Sequence, residues 1–539
     1  MGAVFHFCQP RLGGCLRQVT QASGIEMRNV VLSITLVLGF WQTTSWSQIC
    51  PQRPAPGSTV VDPVSVRSQN GTAKLNLAVS NYPDPHSGQM FYCLAYAQGI
   101  EAPTIRVRPG ETLSLNLKNE IQGLPTIPMM HPHEADHAVA CDGTMTASST
   151  NLHFHGLNVP PKCHQDEVIF TLINPGDPPF HYQMTIPANE PPGLYWYHPH
   201  PHGMTQAQIM GGASGALIVE GIEKIKPEVA GLTQRVFTFR DILNGGDQDD
   251  STMTLNFVPV NPPHLALPVI EIGAGEKQFW RVLNAEGEGF VNLQLLYDNQ
   301  PQNLHVVAVD GTPLSTDLDT TAILIPPAGR VEFVMQGPAT PDVNAVMFTA
   351  PVNTGADGDP SPAHAIANIS VKDQARGGTK SIGDSELQKS KRFADLANIK
   401  PTVRRKLYIT EDLPNSKFFI TVEGQVPKQF DPNEKPRIVT RQGAVEDWII
   451  ENRSQEIHAF HMHQIHYLLL GRDGQAVSDQ VVQDTTMLEP WSGSGPYPNI
   501  IVRMDFRWPE SVGTFLYHCH ILDHEDGGMM AKIKVEPAN

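Results

Sequence analysis

Histidine recurs in this sequence at a spacing that suits metal binding. Six H-x-H triplets occur among its 22 histidines and 539 residues, whereas random placement would give roughly one. Residues i and i+2 of a β-strand point to the same face, so each triplet would aim two imidazoles at one place. The triplets are His131/His133, His153/His155, His198/His200, His200/His202, His461/His463 and His518/His520.

A cysteine interrupts the last of these triplets, in the stretch TFLYHCHILDHEDGGMM from Thr514 to Met530. In a strand, His518 and His520 would face one side and Cys519 the other. One strand would then touch two metal centres, with the backbone of Cys519 as a short covalent path between them.

The residue types on the two sides point to copper. Two histidines, a thiolate and a long methionine contact make a blue-copper electron-transfer site. On the cysteine side the ligands would be Cys519, His524, His458 and the weak axial Met529. Imidazole also suits a copper cluster, and no carboxylate pattern favours calcium or magnesium. Its ligands would be His153, His155, His198, His200, His461, His463, His518 and His520.

An internal sequence repeat indicates the strands and domains that must position these side chains. The stretches PTIRVRPGETLSLNLKN, PVIEIGAGEKQFWRVLN and PRIVTRQGAVEDWIIEN begin at Pro103, Pro268 and Pro436 and share Pro, Ile, Gly and Asn at fixed offsets. Their spacing is that of β-sandwich domains, and the 46 prolines and 44 glycines favour many short strands. We predict domains at 55–225, 230–375 and 403–539, with a polar linker at 376–402.

The repeat also supplies an internal comparison. Nine and eleven residues after the shared Asn, the third copy has His461 and His463, where the second copy has Leu293 and Leu295. In the first copy, Pro199 of YHPH stands where Cys519 stands in YHCH. We therefore predict that the middle domain binds no copper and that the first domain shares in the cluster without a blue site of its own.

Composition and net charge restrict the classes of partner that this protein can bind. The net charge is -17, which argues against nucleic acid or an anionic membrane surface, because both need a basic face. Charged residues make up 17% of the chain and hydrophobic residues 40%, as is typical of globular proteins.

A leader is predicted at residues 1–47, with a signal peptide at 27–47. The stretch from Met27 has a basic start, an apolar run too short to span a bilayer comfortably, and a small-x-small end at Ser45–Ser47. The sequence thus predicts a secreted or periplasmic protein without a stable membrane anchor. In such an oxidising compartment disulfides are expected, and four cysteines allow three pairings. These cysteines are Cys50, Cys93, Cys141 and Cys163.

Taken together, the motifs NLHFHG, YWYHPHPHG, IHAFHMH and YHCHILDH resemble those of a three-domain multicopper oxidase of the laccase-like bacterial type, over residues 55–539. The resemblance implies an all-β fold of three cupredoxin-like Greek-key sandwich or barrel domains. It also implies four copper ions, and electrons passed from a small reducing substrate to dioxygen, which is reduced to water.

The same resemblance implies a role for each motif residue. His458, Cys519, His524 and Met529 would bind the type 1 copper, and His153 and His461 the type 2 copper. The type 3 pair would be bound by His155, His198, His200, His463, His518 and His520. Glu525 and Asp166 match acids that supply protons or hydrogen-bond near the cluster; both could instead be solvated loop carboxylates. Ala459 departs from the family's usual proline.

Three functions stay open at this point. The first is oxidation of phenols or aromatic amines, and the second is oxidation of cuprous, ferrous or manganous ions. The third is a non-catalytic copper-binding scaffold, which the complete ligand set disfavours. An insertion after Asn119 carries His131, His133 and His137; it is either a copper-binding loop or, as we favour, a solvated loop.

Overall fold

The computed structural model describes residues 50–83, 90–96, 99–124, 141–243, 251–260, 266–373, 378–380, 392–478 and 481–538. The predicted leader and the histidines of the insertion lie outside the described residues. None of the helices in the described part of the chain is both long enough and apolar enough to span a bilayer.

The first part of the described chain forms two sheets that enclose one core. Its strands are β1 (Ser65–Arg67), β2 (Thr72–Pro83), β3 (Met90–Tyr96), β4 (Ile100–Glu101), β5 (Thr104–Val107), β6 (Thr112–Glu120), β7 (Phe180–Thr185), β8 (Gly193–Tyr197) and β9 (Gly215–Val219). The strand orders are β1-β5-β9-β8 and β4-β3-β2-β6-β7. Leu75 and Leu115 of one sheet and Ile105 and Leu217 of the other are buried in the same core.

A second pair of sheets follows. Its strands are β10 (Thr233–Leu243), β11 (Ser251–Leu255), β12 (Val258–Pro259), β13 (Val269–Ile272), β14 (Lys277–Asn284), β15 (Val291–Tyr297), β16 (Gln300–Pro301), β17 (Leu304–Val309), β18 (Thr312–Thr320), β19 (Ile323–Ile325), β20 (Arg330–Gln336), β21 (Ala345–Ala350), β22 (His364–Val371) and β23 (Thr379–Lys380). The main strand orders are β12-β11-β10-β14-β20-β17-β18 and β13-β22-β21-β15-β16; β23 joins β10 and β19 joins β15.

The third pair of sheets carries two of the histidine motifs. Its strands are β24 (Val403–Asp412), β25 (Lys417–Val422), β26 (Ile438–Arg441), β27 (Val445–Asn452), β28 (His458–Met462), β29 (Tyr467–Arg472), β30 (Gln475–Ala476), β31 (Val482–Gln483), β32 (Thr485–Leu488), β33 (Asn499–Asp505), β34 (Gly513–Cys519) and β35 (Met530–Glu536). The strand orders are β25-β24-β27-β33-β29-β30, with β31 on β29, and β26-β35-β34-β28-β32. We call the three pairs of sheets the first, middle and third sandwiches.

Helices are few and short. The α-helices are α1 (Thr205–Met210) and α2 (Leu522–Asp526), and the 3-10 helices are Ile222–Lys224, Pro227–Val229, Leu396–Asn398, Leu413–Asn415 and Pro509–Ser511. Part of the predicted linker takes part in packing: β23 pairs with β10, and Phe393 and Leu396 are buried against Val445 and Leu468. The all-β prediction is confirmed.

The three repeat copies occupy equivalent strands, β5–β6, β13–β14 and β26–β27. In each sandwich the second of these strands pairs in parallel with an earlier long strand, which is β2, β10 or β24. The first pairs in parallel with a later strand, β9, β22 or β35. The repeat therefore marks the same structural position in all three sandwiches.

The asparagine that ends each copy has the same role three times. Its side-chain amide donates to two loop carbonyls: Ser148 and Ile173 for Asn119, Gly289 and Ile325 for Asn284, Glu456 and Glu489 for Asn452. Its side-chain oxygen accepts from the backbone N–H two residues later in all three copies. Each asparagine is buried, so it satisfies loop carbonyls that would otherwise be desolvated without a partner.

Two disulfides resolve the open cysteine pairing. Cys50 is bonded to Cys93 and Cys141 to Cys163, across 43 and 22 residues. In the chain-entropy account, loops of this length stabilise a fold by about 3 to 4 kcal/mol each. The second bond also fixes the loop that leads to Asp166.

Candidate metal centres

Eight histidines from the first and third sandwiches meet in one buried cluster, which we call the histidine cluster. Each is at most 1% exposed. Backbone pairing holds the motifs together, since His153 pairs with His198 in the first sandwich and His461 with His518 in the third. The members are His153, His155, His198, His200, His461, His463, His518 and His520.

The rings of this cluster are closely spaced throughout, and they can be divided into two sets of three and one pair. The ring centroids of His200, His463 and His518 lie 4.9 to 5.1 Å apart. Those of His155, His198 and His520 lie 5.1 to 5.8 Å apart. The remaining two rings, of His153 and His461, lie 6.0 Å apart and stack on one member of each neighbouring group. This 3-3-2 division fits a three-ion site.

The hydrogen bonds of these rings leave nitrogens free for a metal. His153 Nε2, His155 Nδ1, His198 Nε2 and His461 Nε2 are buried and have no hydrogen-bond partner, and neither nitrogen of His520 has one. In the first group, His518 Nε2 lies 3.0 Å from His463 Nε2 and 3.4 Å from His200 Nε2. Desolvated nitrogens without partners are costly unless an ion binds them, so the residues fit copper.

The electrostatics favours neutral imidazoles, the form that binds metals, at every member of the cluster except His518, whose pKa is raised by Glu525 against the effect of burial. Burial is the main reason that the pKa of His153, His155, His198, His463 and His520 is well below the usual value, and neighbouring histidines lower it further.

Cys519 lies on the face of its strand opposite to that of His518 and His520, as the alternation of side chains along a strand predicts. Its Sγ is 3.5 Å from His458 Nδ1 and 3.9 Å from His524 Nδ1, and the two nitrogens are 3.3 Å apart. Burial raises the pKa of the Cys519 thiol, but His458 lowers it to about 6 overall. We call His458, Cys519 and His524 the cysteine centre; its thiolate and two imidazoles form a compact site for one copper.

Two adjacent methionines differ in their surroundings. Met529 is buried in the same core as Cys519, and its carbonyl accepts the N–H of Cys519 at 3.1 Å. Met530 packs instead with Val168 and Leu516. The packing therefore favours Met529 over Met530 as the residue beside the cysteine centre.

The outer nitrogens of the cysteine centre face acidic groups. His458 Nε2 lies 2.7 Å from Ser454 Oγ and 3.0 Å from Glu411 Oε1. His524 Nε2 lies 3.5 Å from Glu456 Oε2 and 3.7 Å from Asp523 Oδ2. Both histidines thus contact carboxylates on the side away from the sulfur.

The last two carboxylates also line a cavity of about 670 Å³ between the middle and third sandwiches. We call it the acidic cavity. Six carboxyl side chains line it, with no lysine or arginine among its described lining residues: Asp241, Glu286, Glu288, Asp359, Glu456 and Asp523. Burial, together with neighbouring carboxylates, raises the pKa of Glu288 to about 8 and that of Glu286 above its usual value. Burial raises the pKa of Asp241 to about 6.

The two predicted acids lie against the histidine cluster. Glu525 is fully buried, 3.1 Å from His518 Nδ1 and 3.5 Å from His200 Nε2. Asp166 lies 3.0 Å from His153 Nδ1 and accepts the N–H of Phe154 at 2.8 Å. Burial raises the pKa of Asp166 to about 7. Neither residue is a solvated loop carboxylate.

Sequence reasoning missed Asp484 and Arg330. Asp484 contacts His155 and His461 of the cluster, and Arg330 of the middle sandwich pairs with it. His466, three residues after His463, is buried and lies 3.4 Å from Asp484. Asp484 lies between the short strands β31 and β32 and belongs to no repeated motif, so only the tertiary structure reveals it.

Counting residues from the shared asparagine aligned Leu293 with His461, and this alignment assigns Leu293 to the wrong face of its strand. The strand after the shared asparagine begins seven residues on in the middle sandwich, at Val291, and six residues on in the third, at His458. A shift of one residue exchanges the two faces of a strand. Leu293 therefore occupies the core-facing position that Phe460 has in the third sandwich.

Similarity to known proteins agrees with this geometry. Two family models, both described as multicopper oxidase, match residues 398–539 and 125–224. Multicopper oxidase mco of Staphylococcus aureus is 24% identical over 88% of this chain and 91% of its own length. A laccase of Bacillus subtilis is 23% identical over 80% of this chain and 88% of its own.

A solved structure confirms the fold. The multicopper oxidase from Campylobacter jejuni, titled a metallo-oxidase, superposes with a TM-score of 0.66 at 21% identity, over 90% of this chain and 96% of that one. The chain thus belongs to the multicopper oxidase family, as a copper-dependent oxidoreductase that uses dioxygen and binds copper in type 1, type 2 and type 3 sites.

Proposed function

We propose that this chain is a metallo-oxidase, which removes single electrons from a reduced transition-metal ion and uses them to reduce dioxygen to water. The observation that carries this proposal is the acidic cavity beside the outer nitrogen of His524. The ionised carboxylates of this cavity attract cations, whereas a neutral phenol or aromatic amine gains nothing from them. The sequence ranked phenols and aromatic amines first and metal ions second; the lining of the cavity favours metal ions.

The raised pKa values in the cavity support a cationic substrate. Glu288, with a pKa of about 8, holds a proton near neutral pH because it is buried beside Asp523 and Asp241, and burial alone raises the pKa of Asp241 to about 6. A ferrous, cuprous or manganous ion can displace the proton of Glu288 and relieve the repulsion between the carboxylates. Glu456 and Asp523 would then hold the ion next to His524. The Campylobacter jejuni protein of the same fold is likewise titled a metallo-oxidase.

The geometry of the two centres supports an assignment of the copper ligands. We assign the type 1 copper to the cysteine centre, where Met529 would be the additional ligand, and the type 2 copper to His153 and His461. The two groups of three rings take the type 3 pair: His200, His463 and His518 for one ion, and His155, His198 and His520 for the other. Copper supplies one-electron redox chemistry at the first centre and dioxygen binding at the second.

One strand connects the two centres. Cys519 faces the first centre, and its neighbours His518 and His520 belong to the histidine cluster. His518 Nδ1 also donates to the carbonyl of Cys519 at 2.8 Å. The electron path from the substrate side to the dioxygen side is thus a few covalent bonds and one hydrogen bond.

Reduction of dioxygen to water also needs protons inside a buried site. Glu525 is fully buried and contacts two cluster histidines, His518 at 3.1 Å and His200 at 3.5 Å. It is placed to deliver protons to the cluster as a general acid. Asp166 holds His153 through its Nδ1 and so leaves Nε2 free for copper.

The proposal also includes export of the protein from the cytoplasm. Cys50–Cys93 and Cys141–Cys163 are disulfides, which form and persist in oxidising compartments. Together with the predicted signal peptide, they support a secreted or periplasmic enzyme.

Steady-state rates with ferrous ion and with 2,6-dimethoxyphenol test the substrate assignment. Replacing both Glu456 and Glu288 by Gln should lower kcat/KM for ferrous ion by about 10- to 100-fold, as loss of metal-binding groups does, and leave the phenol rate within about twofold. Glu228→Gln, at an exposed glutamate away from the cavity, is the matched control. Wild-type protein that oxidises the phenol faster than any of the three metal ions would overturn the proposal.

A further inference from the structure

An ion pair between two sandwiches lies directly behind the histidine cluster. Arg330 of β20 donates from Nη1 to Asp484 Oδ1 at 2.7 Å and from Nη2 to Asp484 Oδ2. The two side chains are fully buried. Bidentate charge-assisted hydrogen bonds are the strongest and the most directional of the side-chain pairs. We propose that Arg330, from the sandwich without predicted copper ligands, is a positioning residue of the trinuclear copper site and acts through Asp484.

Asp484 contacts one histidine from each of the two cluster-bearing sandwiches. Its Oδ1 lies 3.2 Å from His155 Nε2, and its backbone carbonyl lies 2.9 Å from His461 Nδ1. A carbonyl and an ionised carboxylate can only accept hydrogen bonds. Each ring must therefore carry its proton on the nitrogen that faces Asp484.

The nitrogens on the other side of these two rings are the ones that copper in the cluster would need. His155 Nδ1 and His461 Nε2 are buried and have no other hydrogen-bond partner. With the proton fixed on the far side, each presents a lone pair inward. Carboxylates behind metal-binding histidines set both tautomer and ring orientation in this way. By the assignment above, Asp484 fixes one type 3 ligand and one type 2 ligand at once, so this inference rests on the proposed copper ligands.

Arg330 in turn keeps Asp484 charged and in place. A buried carboxylate without a cation is strongly disfavoured, and Arg330 supplies that cation through two hydrogen bonds to the Asp484 carboxylate. Arg330 is itself fixed by the carbonyls of Ala328 and Leu194, at 3.0 and 3.3 Å. Its contacts thus include all three sandwiches.

The glycine of the first histidine motif shows how closely the ion pair approaches. A Cβ atom at Gly156 would lie 2.6 Å from Arg330 Nη2 and 2.7 Å from Asp484 Oδ2. Gly156 also has a φ of 85°, which other residues rarely adopt. The residue directly after His155 is glycine in NLHFHG because the ion pair passes against its backbone.

The test compares Arg330→Met with Arg235→Met in the copper-loaded enzyme. Arg235 is the matched control: it is a fully buried arginine of the middle sandwich whose partner, Asp62 at 2.8 Å, does not contact the cluster. Electron paramagnetic resonance of the type 2 copper, total copper content, the blue absorption and oxygen uptake are measured for both variants. Thermal unfolding shows how far each variant is destabilised.

Arg330→Met should change the type 2 spectrum and lower oxygen uptake by about 10- to 100-fold, the usual effect of losing a group behind a metal ligand. The blue absorption should persist. Arg330→Lys keeps the charge without the bidentate fork, so its type 2 spectrum should lie closer to wild type. Arg235→Met should unfold at a lower temperature than wild type with the type 2 spectrum intact.

If Arg330→Met does not fold, Asp484→Asn makes the same test at nearly constant volume, with the same expected change in the type 2 spectrum. A type 2 spectrum and an oxygen uptake equal to those of Arg235→Met would overturn the inference while leaving the copper assignment standing. Wild-type protein without a blue band or a type 2 signal would instead overturn the copper assignment and, with it, this inference.

Discussion

The middle and third sandwiches share a plan and differ in chemistry. Both place the repeat copy on equivalent strands and end it on an asparagine with the same three hydrogen bonds. The strand that follows begins with Val291 in one and His458 in the other. Further along this strand, the middle sandwich has the aliphatic residues Leu293 and Leu295, which are buried in the core of the middle sandwich.

Both sandwiches have their own aliphatic and aromatic cores and the same asparagine hydrogen bonds. We therefore expect the sandwich fold to form without copper. The middle sandwich contributes by a different route. It supplies Arg330 behind the histidine cluster and Asp241, Glu286 and Glu288 to the acidic cavity.

The largest expected effect is that of Cys519→Ser. If the third sandwich folds as the middle one does, without help from its metal, the variant should unfold near the wild-type temperature. It should lose the thiolate-to-copper absorption in the red part of the visible range, and oxidase activity should fall to background. A Cys519→Ser protein that stays blue would contradict the assignment of the cysteine centre.

Glu525→Gln tests the proton supply, which has no counterpart in the middle sandwich. An amide keeps the size of the side chain but cannot act as an acid, so oxygen uptake should fall by roughly 10²-fold. Stopped-flow reduction of the blue copper by substrate should stay fast, because Glu525 contacts the histidine cluster and not the cysteine centre.

Glu423→Gln, at a half-exposed glutamate, serves as the control for this experiment. Wild-type oxygen uptake by Glu525→Gln from mildly acidic to mildly alkaline pH would show that Glu525 does not deliver protons.

The pH dependence of metal binding tests what the middle sandwich adds to the acidic cavity. The pKa of Glu288 is about 8 and that of Asp241 about 6, so both carboxyls lose their negative charge as the pH falls through this range. A metal ion binds the deprotonated form. The concentration of ferrous ion that half-saturates anaerobic reduction of the blue copper should therefore rise from pH 8 to pH 6, by about tenfold per displaced proton for each pH unit.

Replacing Glu288 by Gln and Asp241 by Asn should flatten this dependence. A half-saturating concentration that is unchanged between pH 6 and pH 8 in wild type would place the metal ion elsewhere.

Substitution of the asparagines tests the hydrogen-bonding arrangement that the middle and third sandwiches share. Asn284→Ala and Asn452→Ala each leave buried carbonyls unpaired, which costs about 1–3 kcal/mol. Both variants should unfold a few degrees below wild type. Only Asn452→Ala should also shift the blue absorption, because Asn452 holds the loop that leads to His458. Equal spectra for the two variants would mean that the loop is fixed by other contacts.

The smallest effect is expected at the methionines. Met529→Leu removes a weak thioether contact and should raise the reduction potential of the type 1 copper with the ion still bound. Met530→Leu should leave the potential unchanged, because Met530 packs with Leu516 and Val168 away from Cys519. A redox titration of both variants distinguishes them; the reverse result would exchange their roles.

Much of the site could be predicted because strand geometry links spacing to direction. Alternation in HCH places Cys519 opposite His518 and His520, and the structure has them on opposite faces. The same reasoning failed for Leu293, since the loop after the asparagine is one residue longer in the middle sandwich and a shift of one residue reverses the faces. Periodicity within a strand was informative, but residue counts across a loop were not.

The sequence by itself determined the fold class, the two centres and the copper chemistry, because those depend on local period and on residue type. It left open three disulfide pairings and did not indicate the partners of Asp484 or the acidic cavity, whereas it did favour Met529, which is buried in the same core as Cys519. The disulfides join cysteines 43 and 22 residues apart, and Arg330 and Asp484 are 154 residues apart. Only packing between whole sandwiches decides such contacts, because no local pattern encodes the distance between two loops.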